Sequence, residues 1–491
     1  MVRSSSIIGG SKVVIYLIQL IRIKFVAVLL GPTGVGLISL FQSALQLLKT
    51  VSGLGVNQSG VRDISQAVGS EKKGAVDRTI AVLRRACWLT GIIGFLLSVG
   101  ISLPLSRWLF SSDDYALSIC LMGVAVFLGS VSAGQMAVLQ GMRRLKELAL
   151  VNILSAGIGT ITACLLYYYF KERGIVPAIV SIAAVNLVFS WIAVRKVSIQ
   201  LVKLSWPEFW VSSKTLLTLG ATFMWGALLA AVVTLTLKGE ISHGLGLESA
   251  GLYQAAWGLS GLFATFVIQA MSTDFFPRLT GVISNPAAAN RMVSEQIEIG
   301  ILFALPGLLG TVALAPFIVT ILYTKEFIDC VELLTWLSGG VLLRVIGWPV
   351  GMIPRAKGAV KILLFTMTWG HCANLALSLI FMHYYGLKGI GIGFVVSQVI
   401  QLGIALIVGR YLTRFCYSRE VFHLIALAAV SFLIGLLLTF FVVGFLAAVL
   451  GGAFTFVIGL LCLRGLAIRL DVSHPVVKKL KRVPILQKIT N

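Results

Sequence analysis

Four basic residues stand inside long apolar stretches of the sequence, where a charge is costly. Arg22 and Lys24 lie near the middle of the first stretch, and Lys49 and Arg344 near the middle of two others. Burying a cation at that depth costs ~2.5–3.5 kcal/mol even on the lenient insertion scale. No carboxylate stands at a comparable depth in the sequence. The pattern therefore predicts an anion site, and phosphate or pyrophosphate fits, because Arg binds it bidentately and Lys as a point charge. The alternative is that backbone carbonyls or water satisfy each cation.

The first apolar stretch also indicates which of its cations faces the site. Arg22 and Lys24 are two residues apart, so they point to nearly opposite faces of a helix. Gln19 shares the Arg22 face, which favours Arg22 as the cavity-lining residue.

His371, near Asn374 in the eleventh stretch, is a candidate proton-coupling group, with a packed histidine as the alternative.

Polar side chains recur at helical spacing on two of the stretches. On the second stretch, five residues follow one another at steps of four, three, four and four residues, which places them on one face of a helix: Gln42, Gln46, Lys49, Gly53 and Asn57. The eighth stretch has a milder stripe of Gln254, Gly258, Gly261, Thr265 and Gln269. We predict that the amides of both stripes line a cavity. The alternative is that they join helices by hydrogen bonds.

The composition defines the elements that must position these residues. Of 491 residues, 58% are hydrophobic and 12% are charged, whereas a soluble domain carries about a quarter charged residues. Stretches of roughly 20 apolar residues are long enough to cross a bilayer as helices. The chain is therefore predicted to be an all-α polytopic membrane protein. Fourteen spans are predicted, with twelve or thirteen as the alternative because the last two are the least distinct: 12–30, 35–58, 86–110, 115–139, 148–170, 174–194, 214–237, 250–272, 299–323, 331–353, 360–383, 389–410, 421–441 and 443–463.

The basic residues set the orientation of these spans. The net charge of +22 comes from short loops rather than from one soluble face, which argues for anionic head groups and against nucleic acid as the partner. Alternate loops are rich in Lys and Arg, among them Lys72 and Lys73, and the others are poor, with Arg107 and Lys238. The positive-inside rule then puts both termini in the cytoplasm.

The two halves of the sequence repeat each other at a fixed interval. Leu30–Leu37, with the sequence LGPTGVGL, is echoed by Leu245–Leu252, and Gly174-Ile175 is echoed at the same separation by Gly389-Ile390. We call the number of residues that separates Leu30 from Leu245 the repeat interval. Six spans in each copy predict two six-helix lobes around a central cavity, related by an axis along the membrane normal. The predicted domains are an N-terminal lobe 1–198, a cytoplasmic linker 199–213, a C-terminal lobe 214–414, two further helices 415–468 and a basic cytoplasmic tail 469–491.

The sequence carries no signature of an enzyme. It has no Walker-type glycine loop, no HExxH, no GxSxG and no acidic pair of the glycosyltransferase kind. We therefore expect a protein without catalytic residues, metal or cofactor, whose uphill transport draws on an ion gradient, the membrane potential or consumption of product.

Two segments carry a family resemblance. Residues 6–48, which include LGPTGVGL, and residues 323–361 resemble the Wzx-type O-antigen flippases, which include the enterobacterial common antigen flippases. This is the polysaccharide-transporter branch of the MOP superfamily, whose fold is that of MATE transporters. The resemblance implies a bacterial inner-membrane protein that flips an undecaprenyl-pyrophosphate-linked glycan by alternating access. It also implies a cationic cavity, which Arg22, Lys24 and Lys49 match, whereas Arg344 rests on its depth alone.

The leading hypothesis is therefore a flippase of a lipid-linked O-antigen or related repeat unit, working from the cytoplasmic to the periplasmic leaflet. Its expected partners are the glycan, membrane lipids, and a polysaccharide polymerase and chain-length regulator. A lipid II flippase needs a similar cationic cavity, while a multidrug antiporter of the same superfamily needs acidic groups at mid-membrane depth. A non-transporting scaffold of a glycan assembly complex is the alternative of another class.

Overall fold

The computed structural model describes residues 2–70, 74–197, 200, 202, 204–441 and 445–469. These residues form helices joined by short turns, with no β-strand among them. Lys72, Lys73 and the predicted tail beyond Arg469 lie outside the described residues. The α-helices are α1 Val2–Gly53, α2 Val56–Gly69, α3 Ala75–Gly100, α4 Ser102–Phe110, α5 Ala116–Gly141, α6 Leu145–Phe170, α7 Ile175–Arg195, α8 Trp206–Leu245, α9 Leu247–Val282, α10 Pro286–Ala313, α11 Ala315–Leu322, α12 Cys330–Gly347, α13 Ile353–Ala356, α14 Val360–Tyr385, α15 Leu387–Thr413, α16 Arg419–Phe441 and α17 Phe445–Arg469.

The prediction of an all-α polytopic membrane protein is confirmed. Eleven segments of the described chain are long and apolar enough to span a membrane. Two of them hold two helices each: α1 breaks at Gly31, and the segment Leu145–Arg195 breaks at the 3-10 turn Lys171–Gly174. Helix α9, which is not among the eleven segments, covers the remaining predicted span, so helices lie on all fourteen predicted spans. The last apolar run forms two helices, α16 and α17.

The repeat seen in the sequence is also present in the backbone. Three residues with positive φ in the first copy have counterparts one repeat interval later: Gly31 (62°) and Gly246 (89°), Arg143 (56°) and Gly358 (69°), Lys171 (51°) and Gly386 (62°). Helices α6 and α14 begin and end at positions separated by the same interval. Each copy therefore places the same turns between the same helices.

Two glycines of the repeated LGPTGVGL segment pack against each other. A Cβ on Gly36 would lie 3.0 Å from the nitrogen of Gly251 and would overlap the carbonyl of Leu247. A Cβ on Gly251 would lie 3.0 Å from the nitrogen of Gly36 and would overlap the carbonyl of Pro32. Both pairs of residues are separated by the repeat interval, so the contact is reciprocal. This explains why both copies have glycine here, since only the absence of a side chain allows backbones to approach so closely.

The helices divide into two compact units. The first contains the described residues up to Leu252 together with Leu322–Glu326, and the second contains Tyr253–Ile321 and the described residues from Phe327 onward. In the first, buried residues of α2, α3 and α5 form one core with the C-terminal end of α7 and the N-terminal end of α8. By these contacts α8 belongs to the first unit, so the six-helix lobes 1–198 and 214–414 stay a prediction.

In the second unit, the two C-terminal helices are docked on α10. Gly435 of α16 faces Leu309, and Gly451 of α17 faces Ala313. The Arg469 guanidinium at the end of α17 pairs with the buried carboxylate of Glu298. These helices are therefore packed parts of the second unit.

One predicted span is too long. The second span was expected to run to residue 58, but α1 ends at Gly53, because Leu54 and Gly55 both adopt left-handed conformations with φ of 46° and 65°. Asn57 consequently lies on the separate amphipathic helix α2. The face of Gln42, Gln46 and Lys49 therefore does not continue to Asn57.

Candidate functional site

Arg22 and Lys24 diverge from the first half of α1, as their spacing requires. The Lys24 ammonium donates a hydrogen bond to the carbonyl of Tyr323. Arg22 turns towards α6, where its charge acts electrostatically on Cys164 and Tyr167. Within the described part of the chain, Arg22 forms no hydrogen bond and no ion pair.

Arg22 lines a cavity between α1, α6 and α7. The cavity has a volume of about 220 Å³, which is below the ~300–1,000 Å³ of pockets for drug-sized ligands. Its polar lining combines amides, hydroxyls and one guanidinium, from Gln19, Arg22, Asn152, Ser155, Thr160 and Asn186. The Ser155 hydroxyl donates to Asn186 Oδ1 at 3.4 Å. The cavity contains no carboxylate, so its single charge is positive.

Lys49 lies against α5. A Cβ on Gly129 would be 3.0 Å from Lys49 Cε and 3.1 Å from Nζ, so the lysine side chain lies directly over this glycine. The lysine is half-buried. Its ammonium forms no hydrogen bond or ion pair with any described residue. Because α1 ends at Gly53, Lys49 lies one turn from the end of its helix rather than near the middle of the predicted stretch, and the described residues leave its charge uncompensated.

Arg22 and Lys49 lie at different depths in the first unit. Arg22 precedes the break at Gly31 by nine residues and Lys49 follows it by eighteen, which correspond to about 13 Å and about 27 Å of helix. Arg22 lines the cavity with residues from Asn152 to Thr160 of α6 and acts electrostatically on Tyr167, whereas Lys49 lies against the middle of α5. Since the predicted spans 12–30 and 35–58 cross the membrane in opposite directions, the two distances from Gly31 place the cations roughly 10 Å apart in depth.

The second unit has its own uncompensated cation. Arg344 lies on α12, and its side chain forms no hydrogen bond or ion pair with the described residues. His371 of α14 is half-buried and lies close enough to Arg344 for an electrostatic interaction. Next to it, the Ser397 hydroxyl donates to Asn374 Oδ1 at 3.2 Å.

The polar groups beside these cations repeat between the units. Gln401, which follows Asn186 by the repeat interval, packs its amide over Gly370, which follows Ser155 by the same interval. An amide side chain of α7 or α15 thus contacts the preceding α-helix, α6 or α14, in both copies. Sequence reasoning missed Asn152, Asn186 and Gln401. A signal was available for two of them, since Asn152 and Asn186 are each the single amide of an otherwise apolar span, whereas the span of Gln401 also contains Gln398.

The remaining predicted residues are spread over several environments. Gln42 and Gln46 are exposed on α1, and the Gln46 amide donates to the Thr50 hydroxyl at 3.4 Å. Asn57 accepts from the Cys87 thiol at 3.7 Å. Gln254 is half-buried and Gln269 is exposed on α9.

A further buried cation was wrongly assigned to an outward loop. The span containing it was predicted to end at residue 237, but α8 continues to Leu245, so Lys238 lies inside the helix and is 6% exposed. Its ammonium donates to the Ser43 hydroxyl at 3.0 Å and to the Ser39 carbonyl at 3.4 Å. Lys238 thus joins α8 to the second half of α1.

The sequence and the fold are similar to those of known transporters. The sequence profile of the family described as "Polysaccharide biosynthesis protein" matches residues 1–282, more than half of the chain. The lipid III flippase of Escherichia coli (strain K12) is 22% identical over 385 residues, which cover 74% of this chain and 85% of that protein.

Two solved structures extend the comparison of the fold. An inward-facing multidrug resistance MATE family transporter of the MOP superfamily superposes with a TM-score of 0.71 at 17% identity, covering 84% of this chain and 96% of the other. The lipid II flippase MurJ in an inward closed conformation superposes with a TM-score of 0.66 at 13% identity, covering 94% and 98%. The chain therefore has a MOP-like fold.

Proposed function

Because the chain belongs to the polysaccharide biosynthesis protein family, we propose that it is a flippase for a lipid-linked oligosaccharide. The substrate proposed is an undecaprenyl-pyrophosphate-linked repeat unit of O-antigen or a related surface polysaccharide. It is moved from the cytoplasmic to the periplasmic leaflet of the bacterial inner membrane by alternating access. The similarity to the lipid III flippase supports a lipid-linked glycan as the cargo.

The observation that carries the proposal is the uncompensated Lys49 ammonium over Gly129. A buried cation without a counterion is costly, and an anionic ligand removes that cost. The diphosphate is the anionic part of such a substrate. Its proposed ligands are Arg22, Lys24, Lys49 and Arg344.

The depths of Arg22 and Lys49 support a division of labour between them. Their difference in depth favours successive contacts of one diphosphate with the two cations. In the predicted orientation the break at Gly31 lies on the periplasmic side, so Lys49 lies nearer the cytoplasmic leaflet and Arg22 nearer the periplasmic leaflet. In the proposal, Lys49 holds the diphosphate first, and Arg22 attracts it later in the crossing.

The Arg22 cavity supports a contact with one sugar ring beside the diphosphate. Its amides and hydroxyls match the donors and acceptors of a sugar, and its size suits one small group. Gln19, Asn152 and Asn186 are the proposed sugar ligands there. Further sugar contacts are assigned to the remaining predicted amides, Gln42, Gln46, Asn57, Gln254 and Gln269.

The coupling step is assigned to His371. Imidazole changes its charge near neutral pH, and the nearby Arg344 makes that change sensitive to whether an anion is bound. A proton released or taken up at His371 would then be linked to substrate binding. Both termini are proposed to be cytoplasmic, and a polysaccharide polymerase and chain-length regulator are the proposed partners.

Depletion of the protein in its source cell tests the proposal. The expected result is accumulation of an intact lipid-linked repeat unit and loss of the corresponding surface polymer. Accumulation of lipid II would instead identify a lipid II flippase. Unchanged lipid-linked pools, in a strain without a redundant flippase, would favour a drug antiporter or an assembly scaffold.

A further inference from the structure

Two adjacent arginines of α3 carry buried nitrogen atoms that no acceptor satisfies. Arg84 Nε and Arg85 Nη1 are both buried without a hydrogen-bond partner, and neither residue pairs with a carboxylate in the described part of the chain. Both side chains are only half-buried, so their other nitrogens stay accessible. A pair of partly desolvated cations without counterions attracts an anion.

An indole ring covers one of these arginines. The Arg85 guanidinium lies 5.7 Å from the centre of the Trp206 ring, at the start of α8. Stacking leaves the edge of a guanidinium, which bears its donors, free for a bidentate anion. The Trp206 ring therefore covers part of the Arg85 guanidinium, and the nitrogens other than the buried Nη1 stay available to an anion.

The first turns of α8 present an apolar surface beside the arginines. Phe209 is buried in the core at 2% exposure, while Trp206 and Trp210 are each 57% exposed and Val211 is 78% exposed. These residues precede the apolar span Met224–Leu245. Exposed tryptophans next to a span are typical of the head-group region of a bilayer.

The cluster lies at the basic end of the first unit. The hydrophobic core of the first unit contains Val82 of α3, Val194 of α7 and Leu204, which lies before α8. Arg195 at the end of α7 stacks on Trp191 at 3.8 Å. The positive-inside rule places this end of the unit at the cytoplasmic leaflet, where anionic lipids attract basic residues.

We propose that Arg84, Arg85 and Trp206 form a binding site for the phosphate of an anionic phospholipid of the cytoplasmic leaflet. The arginines bind the phosphate, and the exposed Trp206, Trp210 and Val211 contact the glycerol and the upper acyl chains. The flanking apolar surface favours a lipid over free phosphate, which would gain nothing from it. The site uses none of the cations assigned to transport.

Native mass spectrometry of the full-length protein tests the proposal. Phosphatidylglycerol and phosphatidylcholine are added to the purified protein in neutral detergent, and the bound copies are counted. The wild type is expected to retain phosphatidylglycerol preferentially. The double variant Arg84→Gln/Arg85→Gln should lower its apparent affinity by roughly tenfold or more, whereas Arg84→Lys/Arg85→Lys should restore part of it.

The matched control is Arg144→Gln/Lys146→Gln, which removes the same charge from the same end of the unit. Arg144 already pairs with Glu147 at 3.2 Å, so this variant should bind phosphatidylglycerol like the wild type. Trp206→Leu, which keeps both arginines, should weaken binding severalfold. It replaces the glutamine variant in the test if that variant does not fold.

Equal binding by all folded variants would overturn the proposal. Displacement of the lipid by inorganic phosphate alone would identify a small-anion site and would also overturn it.

Discussion

The side chain of Lys49 covers Gly129, and Gly129 precedes Arg344 by the repeat interval. The two repeats therefore carry a cation at corresponding places but supply it from different helices. In the first, α5 has glycine and the charge comes from α1. In the second, α12 supplies the charge itself. The position of the charge is thus retained in both copies, although the residue that provides it is not.

A charge-exchange variant tests this relationship. Lys49→Ala should abolish export, because the first unit then lacks the cation over Gly129 that is proposed to hold the diphosphate first. Gly129→Arg alone should also impair export, because the new side chain collides with Lys49 and places a like charge beside it. The double variant Lys49→Ala/Gly129→Arg should recover a measurable part of export. The readout is surface glycan in cells with equal membrane levels of each variant. Failure of the double variant, with Lys49→Arg active, would show that the helix carrying the charge matters.

The Arg22 cavity predicts a second set of effects. Arg22→Gln should lower the transport rate by about tenfold or more, since a hydrogen bond to a charged group contributes about 1.5–3 kcal/mol. Asn186→Ala should lower it less, because Asn186 is neutral and already accepts from Ser155. Initial rates of flipping measure both. Ser181→Ala is the control, since Ser181 lies on the same helix as Asn186 but outside the cavity lining. If Arg22→Gln transports at the wild-type rate, Arg22 is not a substrate ligand.

The reciprocal glycine contact predicts a loss of stability. Gly36→Ala or Gly251→Ala should each destabilise the protein by about 1–3 kcal/mol, because the added methyl group overlaps backbone atoms that cannot move independently. Thermal unfolding in detergent measures the change. Gly53→Ala and Gly261→Ala lie on the same two helices with open space around them and should cause little change. Equal melting temperatures for all four variants would contradict the close packing.

The ion pair at the end of α17 predicts how the C-terminal helices are held. Glu298→Gln should lower the free energy of unfolding by about 2 kcal/mol, because it weakens a charge-assisted hydrogen bond to Arg469. Limited proteolysis should then release α16 and α17 more readily than in the wild type. Glu295→Gln, which removes the exposed partner of Arg291 one turn away, should have a much smaller effect. Equal protease sensitivity of the two variants would argue that helix packing alone holds α16 and α17.

The fold was predictable because lipid restricts the chain to helices of a definite length. Apolar runs, basic loops and the repeated LGPTGVGL segment together specify the number and order of the helices. The end points were less predictable, since lipid sets the length of a span but not where its helix ends in water. Lys238 was misplaced because its helix continues beyond the apolar run. Asn57 was misplaced because one left-handed turn at Leu54-Gly55 separates it from α1.

The candidate site was only partly predictable. The four cations could be identified from sequence because a charge is expensive anywhere in a span. The amides Asn152 and Asn186 were missed because a neutral polar group costs less in a span than a charge, so each gave a weaker signal than the cations. What brings them to Arg22 is the packing of α6 and α7 against α1, which is a tertiary property that helical periodicity does not contain.

Reconstituted flipping is the most direct test of the central claim. The purified protein is placed in liposomes with a fluorescent undecaprenyl-diphosphate-linked oligosaccharide, and the fraction accessible to an external quencher is followed with time. The wild type should equilibrate the label between leaflets, Lys49→Ala should not, and Lys49→Arg should do so at a reduced rate. Equal equilibration by the wild type, Lys49→Ala and empty liposomes would contradict the assignment of this protein as a lipid-linked oligosaccharide flippase.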